Sequence, residues 1–193
     1  LFFTVDGGVH WIQLKSGAPT IQFRDLAIQR REDDLVAATF GRGLYVLDDY
    51  AALRGLTPKT LAEEASLLPP RAARVYSELA YVVAAFGNAT AANPPFGATL
   101  SYHLRDGFAQ DDKHKVVLII TDAQGKPVRQ ITGPTTPGLH RIQWDLRRSP
   151  QATGDTESGP LVEPGTYTIT LAKIIDGKET SLGETQTIRV KPH

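Results

Sequence analysis

The residues best suited to chemistry lie in one run near the start of the chain, Thr4-Val5-Asp6-Gly7-Gly8-Val9-His10-Trp11. A hydroxyl residue is followed by an aspartate, a glycine and a tryptophan at fixed short spacing. A short carboxylate beside glycines that accept positive φ typically ties down the backbone amides of a tight hairpin. We therefore predict that Thr4, Asp6, Gly8 and Trp11 form a structural turn with the indole packed beneath it. A catalytic or calcium-binding carboxylate at Asp6 is the alternative.

Other candidates for acid-base or metal chemistry are poorly arranged. The acidic pairs Asp48-Asp49, Glu63-Glu64 and Asp111-Asp112 are adjacent in the chain, and adjacent residues rarely present the opposed geometry that a glycosidase needs. The chain has no cysteine and no Gly-x-Ser-x-Gly elbow, and its histidines show no ligand spacing. These histidines are His10, His103, His114, His140 and His193. We expect no catalytic residue, no metal and no cofactor here.

The run Gly41-Arg42-Gly43 is a second candidate for a binding role. It is too short for a phosphate-binding loop and is typical of a tight turn between two strands. An orientation of Arg42 toward a ligand surface stays open as the alternative reading of this turn.

Composition excludes several partners. The 193 residues are 41% hydrophobic, which is enough for a buried core. Basic and acidic residues balance at 21 each, without a basic block interleaved with aromatics, so we expect no nucleic-acid partner. No apolar stretch approaches the roughly 20 residues of a membrane span. Because the chain opens at Leu1 inside an apparent strand and contains no methionine, we expect its start to be a cut end.

Short apolar runs separated by turn residues predict a β-meander over residues 1 to 50. The predicted strands are residues 1–3, 11–14, 21–28, 35–39 and 44–47.

The pattern then changes to a helical period over residues 57–68. Thr60 and Glu63 have capping-box spacing, and Pro69-Pro70 would end the helix. The predicted apolar face consists of Leu61, Ala65 and Leu68. The following residues, 69–98, are rich in Ala, Asn and Pro and read as a linker. Its aromatic residues, which we expect to be buried against a neighbouring module, are Tyr76, Tyr81 and Phe86.

Strand signals return after Ala98 and indicate a β-sandwich. Tyr167, Ile169 and Leu171 alternate with threonines, which predicts one apolar and one solvated face. Trp144 is predicted to lie in the core. The six predicted strands are residues 99–104, 115–121, 127–131, 140–146, 166–173 and 185–190.

The run from Thr4 to Trp11 resembles the Asp-box of bacterial-neuraminidase-repeat (BNR) β-propellers. Residues 25–28, 33–39 and 41–49 are similar to the closing blade of the sortilin-like bacterial members of that group. Four later runs resemble their C-terminal immunoglobulin-like or fibronectin-III-like domain, which is also seen in flagellar hook-capping proteins. These runs are residues 93–98, 122–129, 138–147 and 164–167.

The resemblance implies an all-β chain in three parts. Residues 1–56 would form the last one to two blades of an incomplete propeller, residues 57–97 a helix and packed linker, and residues 98–193 an immunoglobulin-like sandwich. A propeller needs several four-stranded blades, each about 40 to 50 residues long. We therefore expect a partner, either the remaining propeller as another chain or a further copy of this chain.

The resemblance also implies a function. We expect a non-catalytic C-terminal region of an exported protein, periplasmic, cell-surface or secreted, that binds protein or glycan and contributes to assembly. The alternative is the accessory end of a glycoside hydrolase whose active site lies in the missing blades.

Overall fold

The computed structural model describes residues 1–14, 17, 20–76, 94–109, 111, 113–150 and 159–192. Within these ranges the chain is all-β apart from two short helices. Strands β1 (Phe2–Phe3) and β2 (Ile12–Gln13) form a hairpin. Strands β3 (Phe23–Gln29), β4 (Asp34–Thr39) and β5 (Leu44–Leu47) form an antiparallel sheet in the order β3-β4-β5. The strands predicted for this region are confirmed.

The predicted helix over residues 57–68 is wrong in its extent. A first helix, α1, spans Ala51–Arg54, and the second, α2, spans only Pro58–Ala62. Its N-cap is Thr57, whose hydroxyl accepts from the Thr60 amide at 3.1 Å while the Thr57 amide donates to the Thr60 hydroxyl at 2.7 Å. Thr60 is therefore the third residue (N3) of a capping box that begins at Thr57, whereas the sequence predicted Thr60 as the N-cap.

Two short strands shortly after α2 were not predicted from the sequence. Strand β6 (Ala65–Leu67) pairs with β8 (Ala98–Leu104), and β7 (Ala73–Arg74) pairs in parallel with β14 (Gln186–Lys191). Five residues predicted as helix or linker, Ala65–Leu67 and Ala73–Arg74, thus belong to the sheets, where strand pairing satisfies their backbone groups and all but Arg74 are buried.

The remaining strands form two sheets around one core. They are β9 (His114–Thr121), β10 (Pro127–Gly133), β11 (Gly138–Trp144), β12 (Gly165–Ile175) and β13 (Lys178–Ser181). One sheet has the order β11-β8-β6, and the other has the order β10-β9-β12-β14-β7 with β13 paired to β12. All six strands predicted after residue 98 are present, and β13 was missed.

Trp144 lies in this core, as predicted, with no exposed surface. Its ring packs edge to face against Tyr167 with centroids 5.5 Å apart, and its Nε1 donates to the Arg147 carbonyl at 3.1 Å. Tyr102 is equally buried and donates its hydroxyl to the Pro134 carbonyl at 2.6 Å. Apolar residues from both sheets surround these rings, so the two sheets share a single hydrophobic core.

The expected burial of the linker aromatics is wrong for Tyr76. Tyr76 is 41% exposed, although its ring packs edge to face against Phe96 at 4.9 Å. Tyr81 and Phe86 lie outside the described residues.

Candidate functional site

The turn between β1 and β2 is held by the side chains of Thr4 and Asp6. The Thr4 hydroxyl donates to Asp6 Oδ1 at 2.8 Å and accepts from the Gly8 amide at 2.9 Å. Asp6 Oδ1 also accepts from the His10 amide at 2.9 Å, and Oδ2 lies 2.6 Å from His10 Nδ1. Gly7 and Gly8 supply the positive φ values, 73° and 96°, that the turn requires.

These contacts lower the pKa of Asp6, chiefly through the hydrogen bond from the His10 backbone amide and then through the His10 ring. Both carboxylate oxygens are engaged inside the turn, which is the arrangement of a structural aspartate. His10 is a member of this turn that sequence reasoning missed, although its spacing of four residues from Asp6 could have indicated it.

Trp11 does not pack as expected. Its side chain passes Gly8, since a Cβ built at Gly8 would lie 3.9 Å from Trp11 Cζ2, but 62% of the residue is exposed. The hairpin β1–β2 has only two residues in each strand and cannot cover an indole by itself.

Both faces of the three-stranded sheet carry large apolar side chains. Directly paired residues of antiparallel strands lie on the same face, so the register β3-β4-β5 defines two sets. One face carries Leu26, Ile28, Leu35, Ala37, Tyr45 and Leu47. The opposite face carries Ala27, Val36, Ala38, Leu44 and Val46, with the polar residues Asp25, Gln29 and Asp34 toward the ends of the strands.

Large apolar side chains on both of these faces are in contact with solvent. Leu26 and Ile28 are 51% and 56% exposed on the first face, and Leu44 and Val46 are 66% and 52% exposed on the second. Among the sheet's residues, only Ala37 is buried. Exposed apolar surface of this kind on a sheet indicates an interaction site.

A polar junction joins the β3-β4-β5 sheet to the two sheets formed by strands β6 to β14, which we call the two-sheet part. We call Glu32, Asp49, Arg71 and Arg141 the junction cluster. Arg71 Nη1 donates to the Glu32 carbonyl and, at 2.9 Å, to its Oε2. Arg71 Nε lies 3.8 Å from Asp49 Oδ2. From β11, Arg141 Nη2 donates to the Asp48 carbonyl at 2.8 Å. Arg71 therefore binds the turn between β3 and β4, and Arg141 binds the segment that follows β5, at the same end of the sheet.

Asp49 is the most constrained member of the junction cluster. Its backbone has a positive φ of 50°, and its amide donates to Asp34 Oδ1 at 2.9 Å. Its side chain is only 11% exposed. Burial raises the pKa of this carboxyl group, and the charge of Arg71 opposes that effect.

A cleft of about 1120 Å³ lies beside the junction cluster. Its walls carry charges of both signs, because the four members of the junction cluster line it together with Asp48 and Arg74. Tyr76 and Pro94, at its rim, border residues outside the described ranges. The polar contacts of the cluster join Arg71 and Arg141 to the ends of the β3-β4-β5 sheet, so they connect two parts of the chain.

The structure places Arg42 in the turn between β4 and β5, with its side chain exposed. It lies on a different hairpin from the Asp6 turn, so the predicted site residues belong to two separate features.

In the ranges that the structure describes, no three histidine or carboxylate side chains are grouped as metal ligands. No described helix has the length and apolar character needed to cross a membrane. Comparison of the chain with protein-family models and with curated proteins gave no match.

Proposed function

We propose that this chain is the non-catalytic C-terminal region of an exported bacterial β-propeller protein, acting in protein or glycan binding and in structural assembly. In this proposal, residues 98–193 together with β6 and β7 form an immunoglobulin-like sandwich, and the β3-β4-β5 sheet belongs to the closing blade. The observation that carries the proposal is that both faces of that sheet expose large apolar side chains.

A sheet that is apolar on both faces is stable when a further layer covers each face, as in architectures with strands buried on both sides. Covering the half-exposed Leu26, Ile28, Leu44 and Val46 would contribute on the order of 1 kcal/mol for each side chain. Blades of a propeller stack face to face around a ring, so each blade has two such neighbours. Other blades are therefore the occupants that we assign to the two faces.

Two further features support this reading. The Asp6 turn has the internal hydrogen bonding expected of an Asp-box. In the described sheet, β5 pairs only with β4, so its outer edge is open to a fourth strand. Such an edge promotes association until it is covered.

The role in assembly rests on the junction cluster. Its contacts fix the orientation of the β3-β4-β5 sheet relative to the two-sheet part, which would place the sandwich at a defined angle on the propeller. A fixed angle suits a module that presents a binding surface or joins subunits.

The proposal predicts that the isolated 193-residue chain binds a hydrophobic dye and self-associates. Serine substitutions on one face, Leu26→Ser with Ile28→Ser, or on the other, Leu44→Ser with Val46→Ser, should each reduce dye fluorescence and light scattering. Combining the two pairs should reduce both signals further, because each face contributes separately.

Leu139→Ser is the control, since Leu139 is 37% exposed and lies in β11, outside this sheet. It should leave both signals near the wild-type level. A wild-type chain that binds no dye and stays monomeric, or face variants that behave as wild type, would contradict the proposal.

A further inference from the structure

The turn between β4 and β5 has a rigid backbone that presents its side chains to solvent. We call residues Phe40, Gly41, Arg42 and Gly43 the rim turn. The Thr39 amide and hydroxyl both donate to the Gly43 carbonyl, at 3.1 and 2.8 Å, and the Phe40 amide donates to the Gln22 carbonyl at 2.9 Å. Gly41 and Gly43 have positive φ values of 82° and 73°. These contacts fix the positions from which Phe40 and Arg42 project.

A second arginine lies over the aromatic ring of the rim turn. The register of β3 shifts between Phe23 and Asp25, which leaves Arg24 at a bulge. Bulges re-aim side chains relative to the regular alternation of a strand. The Arg24 guanidinium carbon lies 4.8 Å from the centroid of the Phe40 ring, and Phe40 is 65% exposed. An aromatic ring, a stacked guanidinium and a neighbouring arginine thus share one end of the sheet.

The guanidinium groups of Arg24 and Arg42 make no ion pair within the described residues. The arginines that the ion pairs engage there are Arg31, Arg54, Arg71 and Arg105. The nearest acid in sequence, Asp25, accepts from the Leu26 amide at 2.8 Å. Arginine donates two parallel hydrogen bonds to a carboxylate, and aromatic and arginine residues are enriched at protein interfaces.

We propose that the rim turn and Arg24 bind a carboxylate side chain of an acidic peptide segment in a partner protein. This inference rests on the proposed function, in which further blades cover the faces of the sheet. Face-to-face packing leaves the ends of the strands open, so the rim turn stays accessible in the complete protein.

The geometry favours a peptide over an acidic glycan. Small-molecule sites are concave, whereas these side chains project from a turn and a neighbouring bulge at the end of a sheet. The face of Phe40 beneath Arg24 is already covered by the guanidinium. An extended acidic peptide needs only the edges of the two guanidinium groups and contact with the exposed ring.

The test is titration of the chain with a fluorescently labelled peptide of Glu-Ser repeats, followed by anisotropy at low and high salt. We expect saturable binding that weakens with salt. Arg24→Gln combined with Arg42→Gln should weaken it about tenfold or more, and Phe40→Ser should also weaken it. Arg30→Gln is the matched control, because Arg30 is an exposed arginine at the opposite end of the same sheet. It should retain binding within about twofold of the wild-type value.

Three results would overturn the inference: no saturable binding by the wild-type chain, equal binding by the double arginine variant, or equal binding of a Gln-Ser peptide. Oligogalacturonate that binds more tightly than the peptide, with the same dependence on Arg24 and Arg42, would also overturn it in favour of an acidic sugar. The variant Leu26→Ser with Ile28→Ser separates this inference from the proposed function, because it alters face-dependent association and should leave peptide binding unchanged.

Discussion

Replacing Trp144 with alanine is expected to lower the free energy of unfolding by about 3 to 5 kcal/mol, the range typical of large aromatic deletions in cores. The indole has no exposed surface and packs between the two sheets against Tyr167. Its removal would leave a cavity that the paired strands around it can fill only partly. Chemical denaturation monitored by far-ultraviolet circular dichroism measures the loss.

Two variants keep this prediction testable if Trp144→Ala fails to fold. Trp144→Phe retains most of the ring volume and should lose distinctly less stability than the alanine variant. Leu139→Ala removes a side chain that is 37% exposed and should cost less than about 1 kcal/mol. A Trp144→Ala protein as stable as the Leu139→Ala protein would contradict a core position for the indole.

Replacing Arg71 with alanine is expected to weaken the junction cluster by about 1 to 3 kcal/mol, the usual effect of removing a charged hydrogen-bond partner. The change removes the donors to Glu32 and leaves the side chain of Asp49, which is 11% exposed, without its nearest cation. The local readout is amide hydrogen exchange at Tyr50, whose amide donates to the Asp33 carbonyl at 2.7 Å, and at Asp49. Exchange at both amides should accelerate accordingly.

Lys113→Ala is the control for Arg71. Lys113 pairs with Asp176 at 3.6 Å, but the two side chains are 74% and 69% exposed. Exposed pairs of this kind contribute about 0 to 1 kcal/mol, so the variant should leave the Tyr50 and Asp49 amides unchanged. Unaltered exchange at these amides in Arg71→Ala would show that the junction does not depend on this arginine.

The sequence predicted the strands of the two-sheet part because their alternation is long enough to read. Tyr167, Ile169 and Leu171 are all buried and follow one another at period two. Strand β6 was mistaken for the end of a helix because three residues are too few to show that period. Leu61, Ala65 and Leu68 also match helical spacing by chance. The pairing of Ala65 with Leu104 makes this segment a strand. A contact between residues so far apart in sequence cannot be predicted from the local pattern.

The same contrast applies to the candidate sites. The Asp6 turn could be predicted because its contacts join residues at most four positions apart. The junction cluster could not, because Arg71 and Glu32 are 39 positions apart and Arg141 and Asp48 are 93 apart. Exposure of Trp11 was also unforeseen, since the turn motif specifies the local backbone and not the layer beneath it.

The most direct test of the account is carbene footprinting of the complete propeller protein that we propose, isolated from its source, compared with the isolated 193-residue chain. Labelling reports solvent contact at individual side chains on the two faces of the β3-β4-β5 sheet. We predict that Leu26 and Ile28 on one face, and Leu44 and Val46 on the other, are labelled in the isolated chain and protected in the complete protein. Equal labelling in the two samples, or protection of only one face, would contradict a sheet packed between two further blades.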